Sequence, residues 1–131
     1  MNLHMEQKIQ IMIVEDNPMN LKLVSELLEM DGFHILKCHD AESALVSLKT
    51  TNPEMILMDV ALPGMDGLEL TKKLKANNET KNIKIIALTA FAMKTDKEKV
   101  FDAGCNGYIT KPIDTRKFSE QIRELLNVNN G

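Results

Sequence analysis

The stretch IQIMIVEDNP, residues 9–18, decides the fold class of this chain. Its first six residues are almost continuously apolar, which is typical of a strand that is buried on both faces of a sheet. Glu15 and Asp16 end the run, and Asn17 followed by Pro18 predicts the N-cap and the first position of a helix. A buried strand that leads into a helix in this way indicates the first unit of a parallel α/β sheet.

The same strand and helix pattern recurs four more times along the chain. The further strands are predicted over residues 33–38, 55–58, 83–88 and 108–110. The helices are predicted to begin at Pro18, after the N-caps Asp40 and Asp66, near Thr95, and after the N-cap Asp114. Gly32 and Gly104 are predicted to end the first and fourth helices. Five such units predict an α/β fold with an open, doubly wound, five-stranded parallel sheet of the flavodoxin-like kind.

The composition fits one compact domain with its own core. The chain has 131 residues, of which 44% are hydrophobic and 27% are charged, as is ordinary for a globular protein. We divide it into a leader over residues 1–8, a domain over 9–127 and a short tail over 128–131. The formal net charge of −3 argues against a general nucleic-acid-binding surface. The longest apolar runs are too short to cross a membrane.

The two cysteines and the N-terminal sequence indicate the cellular compartment of the protein. Cys38 and Cys105 lie far apart and match no metal-binding spacing. The N-terminus resembles no signal peptide. We therefore expect a cytoplasmic protein with free thiols.

Polar residues follow the predicted strands at the end where parallel sheets bind ligands. Glu15 and Asp16 follow the first strand, Asp59 follows the third, Thr89 ends the fourth, and Lys111 follows the fifth. Because ligands bind outside the carboxyl ends of such strands, we expect these side chains to share one crevice. Taken singly, each is equally well explained as a cap, a turn or a surface group, but their coincidence at four strand ends favours a functional site.

This group of side chains fits phosphoryl transfer onto a carboxylate. Three neighbouring carboxylates cannot all stay ionised without a cation, and oxygen ligands favour Mg²⁺, with Mn²⁺ as a substitute. Asp59 is the candidate nucleophile, because an aspartate can form an acyl phosphate. Lys111 would neutralise charge on the transferring group and Thr89 would donate a hydrogen bond to it.

Five fragments of the chain together resemble the receiver domain of two-component response regulators, from Ile9 to about Leu126. The fragments are Val-Glu15-Asp16-Asn17, Leu-Met-Asp59-Val, Leu62-Pro63-Gly64-Met65-Asp66-Gly67, Leu-Thr89-Ala90 and Tyr108-Ile-Thr-Lys111-Pro112. Each fragment is weak alone, but all five occur in order at the predicted strand ends.

The resemblance implies a signalling switch of a phosphorelay, not a turnover enzyme. Asp59 would take a phosphoryl group from a histidine kinase or a histidine phosphotransfer protein, and the domain would catalyse its own phosphorylation and slow dephosphorylation. Asp16 would bind Mg²⁺ directly, Glu15 mainly through water, and Ala61 through its backbone carbonyl. A downstream protein partner would read the changed surface.

The resemblance also implies how the signal moves. Thr89 and Lys111 would sense the phosphoryl group, and Tyr108 matches an aromatic position whose side chain then turns inward. The bond between Lys111 and Pro112 is expected to be cis. The donor is expected to dock on the first helix near Met19, Asn20 and Leu23, with Pro112 and Ile113 alongside.

Two positions depart from the usual receiver pattern. Glu15 stands where aspartate is commoner, which changes the distance from the carboxylate to the ion. Ala61 offers no side chain to the phosphoryl group, so we expect the rate of dephosphorylation to depend on other residues such as Phe91.

Other functions remain open on the sequence. An aspartate-nucleophile phosphatase of the haloacid dehalogenase type needs a second acid two residues after the nucleophile, where this chain has Ala61. The chain is also compatible with a DNA-binding regulator that lacks its output domain. In that case we expect this chain alone not to bind DNA specifically. Within the receiver family, residues 88–93 resemble stand-alone regulators of the DivK type, whereas residues 15–20 are also common in receiver modules of hybrid histidine kinases.

Overall fold

The computed structural model describes residues 8–62, 64–90 and 93–127. Strands and helices alternate along these residues. The strands are β1 (Gln10–Val14), β2 (His34–Cys38), β3 (Met55–Asp59), β4 (Lys84–Thr89) and β5 (Gly107–Thr110). The helices are α1 (Pro18–Met30), α2 (Ala41–Leu48), α3 (Gly67–Ala76), α4 (Lys94–Asp102) and α5 (Phe118–Asn127).

The strands form one parallel sheet in the order β2-β1-β3-β4-β5. The chain runs outward from β1 to β2 and then returns past β1 to β3, so the strand order reverses between β1 and β3. This reversal opens a crevice at the carboxyl ends of those strands. The predicted open, doubly wound, five-stranded parallel sheet is confirmed.

Helices cover both faces of the sheet, which explains why its central strands are continuously apolar. In β1, Met12 and Val14 face the cluster that also holds residues of α2, α3 and α4, whereas Ile11 and Ile13 face the cluster that holds residues of α1 and α5. The side chains of β3 and β4 alternate between the same two clusters. Burial on both faces removes the polar alternation that a half-exposed strand would show.

Local signals in the sequence set most helix boundaries. Asn17, Asp40 and Asp66 occupy the N-cap positions of α1, α2 and α3, and each side chain accepts hydrogen bonds from backbone N–H groups of the first turn. Gly32 follows α1 with φ of 94° and Gly104 follows α4 with φ of 107°, a conformation that favours glycine. These predicted caps and stops are confirmed.

Two boundaries differ from the predictions. The last helix begins at Phe118, because Asp114 first forms a turn in which its side chain accepts from Arg116 N and its carbonyl accepts from Phe118 N, both at 3.0 Å. Strand β3 extends one residue further than expected, to Asp59, because the ladder pairs this residue with Leu88. Strand β4 ends at Thr89, as expected, where the ladder pairs it with Thr110. Both candidate site residues therefore stand on the rigid sheet.

Some expectations lie outside the described residues, including the leader before Lys8, the tail after Asn127, and Phe91. Over the part that is described, no helix is long and apolar enough to cross a membrane. Cys38 and Cys105 are both buried and free.

Candidate functional site

A crevice of about 300 Å³ opens at the carboxyl ends of β1, β3 and β4 and beside the residue that follows β5. Its lining includes every residue that the sequence predicted to bind the metal or the phosphoryl group: Glu15, Asp16, Asp59, Ala61, Thr89 and Lys111. The four chain segments that carry these residues are separated in sequence, and the parallel sheet brings their ends together.

Three carboxylates form the floor and the mouth of the crevice. Glu15 and Asp59 are buried, with 1% and 5% of their surfaces exposed, whereas Asp16 is exposed. One oxygen atom from each of the three lies within 4.8 Å of the others. Among the described residues, this is the one cluster of acidic, histidine or cysteine side chains with a spacing that fits a metal ion.

Lys111 places its ammonium between the two buried carboxylates. Its Nζ donates to Glu15 Oε1 at 2.9 Å and lies 3.4 Å from Asp59 Oδ2. The Lys111 backbone N–H donates to the Thr89 carbonyl at 2.8 Å, which fixes the residue beside the end of β4. The peptide bond from Lys111 to Pro112 is cis, as expected.

Both the side chain and the backbone of Asp59 make contacts that fix its position. Its Oδ1 accepts from the Ala61 backbone N–H at 3.0 Å. Gly67, at the start of α3, lies so close to the Asp59 carbonyl oxygen that a Cβ there would overlap it and the Met58 side chain. The Asp59 carboxylate is therefore positioned by rigid elements on either side of its loop.

The charges in the crevice are strongly coupled. Burial, together with the hydrogen bond to Asp59, raises the pKa of Glu15 to about 7. Burial alone would also raise the pKa of Asp59, but hydrogen bonds from Glu15 and the Ala61 N–H, with the charge of Lys111, outweigh it and hold that pKa below its usual range. For Lys111, burial opposes the charged form, but the hydrogen bond to Glu15 and the charge of Asp59 raise its pKa.

The donor set fits a hard divalent cation. Three carboxylates and one ammonium leave an excess of negative charge when all are ionised, and carboxylate oxygens are the ligands that Mg²⁺ prefers. Asp16 is exposed at the mouth and Glu15 and Asp59 lie deeper, so an ion bound between them would still face solvent and an incoming group.

Two predicted residues lie outside the crevice lining. Tyr108 is half-buried on β5, with its ring edge-on to Phe101 at a centroid distance of 5.9 Å. The Lys97 Nζ lies 5.2 Å from the centre of the same ring. Pro112 lines an adjoining, mostly apolar cavity of about 420 Å³, together with Asn20, Leu23, Val24, Lys111 and Ile113.

The partners of Tyr108 were not predicted from the sequence. Lys97 and Phe101 are four residues apart in α4, a spacing that places two side chains on one face of a helix. That spacing was visible in the sequence, but nothing local showed that this face would meet β5. The close approach of Gly67 to Asp59 was also missed, although Gly67 lies in one of the fragments that carry the family resemblance.

Comparisons with known proteins agree with this geometry. The family model described as the response regulator receiver domain matches residues 11–123. The polar-differentiation response regulator DivK of Brucella anthropi is 44% identical over 116 residues, which cover 88% of this chain and 94% of that protein. DivK proteins of Brucella ovis and Brucella melitensis match with the same identity and coverage.

Solved structures share the fold. The receiver domain of a sensor histidine kinase from Pseudomonas aeruginosa, determined with a magnesium ion coordinated in its active-site cleft, matches with a TM-score of 0.84 and 30% identity over 93% of this chain and 100% of that one. The chemotaxis response regulator CheY4 of Vibrio cholerae matches with a TM-score of 0.86 and 22% identity, over 91% of this chain and 99% of that one. At that identity, the second match speaks for the fold alone.

Proposed function

Because this chain belongs to the response regulator receiver family of two-component signalling, we propose that Asp59 is its phosphoryl acceptor and that Glu15, Asp16 and Asp59 hold the Mg²⁺ on which transfer depends. Receiver domains take phosphoryl groups from histidine kinases, bind Mg²⁺ at an acidic site and signal to downstream partners. They act as switches rather than as turnover enzymes. The proposal assigns these general properties to particular residues.

One observation carries the proposal. A nucleophilic carboxylate, a second buried carboxylate, an exposed carboxylate and an ammonium meet in one crevice at the switch point of the sheet. Such a group has no role in packing, because buried like charges destabilise a fold unless a ligand compensates them.

The chain's own residues perform the transfer. Asp59 is kept ionised, and one of its oxygens attacks the phosphorus of a phosphohistidine. The bond between phosphorus and the histidine nitrogen breaks, its electron pair stays on the imidazole, and an acyl phosphate forms on Asp59. Lys111 already lies 3.4 Å from Asp59 Oδ2, so its ammonium is in place to neutralise charge on the transferred group.

Mg²⁺, when bound, would neutralise phosphoryl oxygens and align them with the acceptor. The exposed carboxylate of Asp16 is the direct ligand in this proposal, with the Ala61 carbonyl as a second ligand. Glu15 is held by Lys111 and also accepts from the Asn17 N–H at 3.3 Å, which favours contact with the ion through water. Mn²⁺ has similar ligand preferences and would substitute for Mg²⁺.

The phosphoryl group adds about −1.5 to −2 charges at the strand ends and changes the partners of Thr89 and Lys111. We expect the loop after β4 to follow Thr89, and Tyr108 to turn toward the space that the loop leaves. The face built by α4, β5 and α5 would then change, and a downstream protein partner would read it.

The lifetime of the acyl phosphate depends on how well nearby side chains orient a water molecule to attack it. Ala61 lines the crevice but has no polar side chain to orient a water molecule. We propose that Phe91, which lies outside the described residues, influences the rate instead. An Ala61→Asn variant should then change the decay rate, and an unchanged rate would remove the basis for this assignment.

The donor would dock beside the crevice on α1. Met19 and Leu23 are exposed there, at 81% and 41% of their surfaces, although both are apolar. Leu23 also lines the apolar cavity that ends at Pro112 and Ile113. Leu23→Glu should slow transfer from the donor, whereas Val46→Glu, at another exposed apolar position on α2, should not.

The alternatives have less support. The phosphatase hypothesis still lacks a general acid at position 61. The identity to DivK proteins, over 94% of their length, favours a stand-alone regulator. The structural similarity to a histidine-kinase receiver domain keeps the hybrid-kinase module as the second candidate. We propose that the folded unit spans residues 9–127 and that the protein is cytoplasmic, in keeping with its two buried free thiols.

The proposal is tested by intact-mass analysis after incubation with Mg²⁺ and acetyl phosphate. We expect one phosphoryl adduct on the parent protein and on the control Asp102→Asn, and none on Asp59→Asn. A chelator added before the donor should prevent the adduct. An adduct that persists on Asp59→Asn, or a parent that also fails to accept from a panel of phosphohistidine donors, would contradict the assignment of Asp59.

A further inference from the structure

Tyr108 is the single tyrosine of the chain and lies on β5, at one edge of the sheet. Burial alternates along this strand, so that Ile109 belongs to the cluster on the α1 and α5 side, whereas Tyr108 packs against the opposite cluster, which includes Val100 of α4. Tyr108 is not among the described residues that line the crevice. Its ring therefore lies on the α4 side, outside the phosphoryl site.

Two side chains of α4 hold the ring in this position. Phe101 meets it with an interplanar angle of 79°, the edge-to-face geometry that aromatic pairs prefer. Lys97 places its ammonium over the ring at 5.2 Å from the centre, within the range of a cation–π interaction. Phe101 is 49% exposed, so the fold covers its ring only in part.

Helix α4 has few other anchors to the sheet. Val100 is its buried residue. Met93 occupies its N-cap position, and the side chain of Met93 makes no cap hydrogen bond. The contacts from Lys97 and Phe101 to Tyr108 therefore couple the position of the helix to the conformation of the ring.

We propose that Lys97 and Phe101 form a clasp that holds Tyr108 against α4 in the unphosphorylated protein and so limits how easily the phosphorylated conformation forms. This inference rests on the proposed function, because it requires that a phosphoryl group on Asp59 favours an inward Tyr108. A contact that exists only in the resting conformation opposes the transition. Its removal raises the affinity for a phosphoryl mimic by the same factor as it shifts the conformational equilibrium.

The test uses beryllofluoride with Mg²⁺ as the mimic. Because the chain has one tyrosine, labelling with 3-fluorotyrosine gives one ¹⁹F resonance, which reports on Tyr108 alone. The variants Lys97→Met and Phe101→Leu remove the cation and the ring. The variants Lys97→Arg and Phe101→Trp keep them, and Lys99→Met is the matched control at an exposed position of the same helix.

We expect Lys97→Met and Phe101→Leu to bind the mimic roughly twofold to tenfold more tightly than the parent. Their free-state resonance should also move toward the bound-state position. The Arg and Trp variants should match the parent in affinity, and Lys99→Met should match it in both measurements. Rescue by the Arg and Trp variants separates the clasp from a general loosening of α4.

Three outcomes would overturn the clasp and leave the proposed function intact. In the first, the parent binds the mimic but its resonance does not move. In the second, Lys97→Met and Phe101→Leu keep the affinity and resonance of the parent. In the third, Lys99→Met behaves like Lys97→Met. If the parent binds no better than Asp59→Asn, the proposed function fails, and the clasp fails with it.

Discussion

At the amino end of the sheet, the ammonium of Lys75 has three neutral oxygen acceptors, whereas at the carboxyl end the ammonium of Lys111 is shared by two carboxylates. Lys75 Nζ donates to the Ile83 carbonyl at 2.7 Å, to Asn106 Oδ1 at 2.9 Å and to the Lys81 carbonyl at 3.2 Å. The hydrogen-bonding capacity of that group is fully used by the fold. At the carboxyl end, negative charge exceeds positive charge when the carboxylates are ionised.

The contrast shows where the fold is self-sufficient and where it depends on a ligand. Lys84, the first residue of β4, also binds the carbonyls of Leu125 and Leu126, at 2.9 and 2.6 Å, and so ties the end of α5 to the same amino end of the sheet. A scaffold with satisfied polar groups at one end can tolerate repulsion between carboxylates at the other, where a bound cation would relieve it.

The largest expected effect concerns the hydrogen bonds of Lys75 at the amino end of the sheet. Lys75→Ala should lower the free energy of unfolding by about 2 to 3 kcal/mol, because it removes three hydrogen bonds, among them the one to the carbonyl of buried Ile83. Lys72→Ala, at an exposed position of the same helix, should change it by less than about 0.5 kcal/mol. Urea denaturation measures both values. Similar small changes in the two variants would mean that the amino end is not held by Lys75.

The next effect tests the repulsion at the carboxyl end. The folded-state pKa of Glu15 is raised from 4.5 to about 7, so the folded protein binds more protons than the unfolded chain between these values. Stability should therefore fall by about 2 to 3 kcal/mol as the pH rises through this window in the absence of Mg²⁺. Glu15→Gln should remove that fall, and Glu26→Gln, at an exposed position of α1, should keep it. Urea denaturation at several pH values, with a chelator present, gives the comparison.

A somewhat smaller effect concerns the ligand itself. Because bound Mg²⁺ favours the ionised form of Glu15, protons compete with the ion, and affinity should be roughly tenfold higher at pH 8 than at pH 6. Calorimetric titration at the two pH values measures the ratio. Glu15→Gln should show a much flatter dependence. Equal affinities in the parent would mean that Glu15 is already ionised before the ion binds.

The smallest expected effect concerns the free-energy cost of an unsatisfied polar group outside the site. Ser25 Oγ is buried in α1 and has no hydrogen-bond partner among the residues that the structure describes. Ser25→Ala should raise the free energy of unfolding by about 0.5 to 1 kcal/mol. Thr80 Oγ1 is buried but donates to the Leu74 carbonyl at 2.7 Å, so Thr80→Val should lower stability instead. If both variants destabilise, Ser25 contributes through packing.

Local patterns were sufficient for the architecture of the sheet and for the group of site residues. The apolar runs of β1, β3 and β4 marked strands buried on both faces, and the rule for parallel sheets then placed Glu15, Asp59 and Lys111 together. The N-caps Asn17, Asp40 and Asp66 were visible because each depends on atoms two or three residues away.

Contacts between distant elements could not be read in this way. Lys75 looks like any helix lysine in the sequence, and its role depends on Asn106, which lies 31 positions further on. The pairing of Phe101 with Tyr108 depends on how α4 packs on an edge strand. The start of α5 at Phe118 was missed because Asp114 serves equally well as a helix cap and as the first residue of a turn.

Gly67 has a consequence for anyone who wishes to transplant this acceptor into another scaffold. Its N–H donates to the Val60 carbonyl at 3.2 Å, and the Asp59 carbonyl oxygen fills the space that a side chain would need. The two ends of the acceptor loop, at Asp59 and at Gly67, are thus in direct contact. If a graft carried Asp59 but had a larger residue in place of Gly67, the new side chain would push the recipient helix away from its strand. The Asp59 carboxylate would then be misplaced.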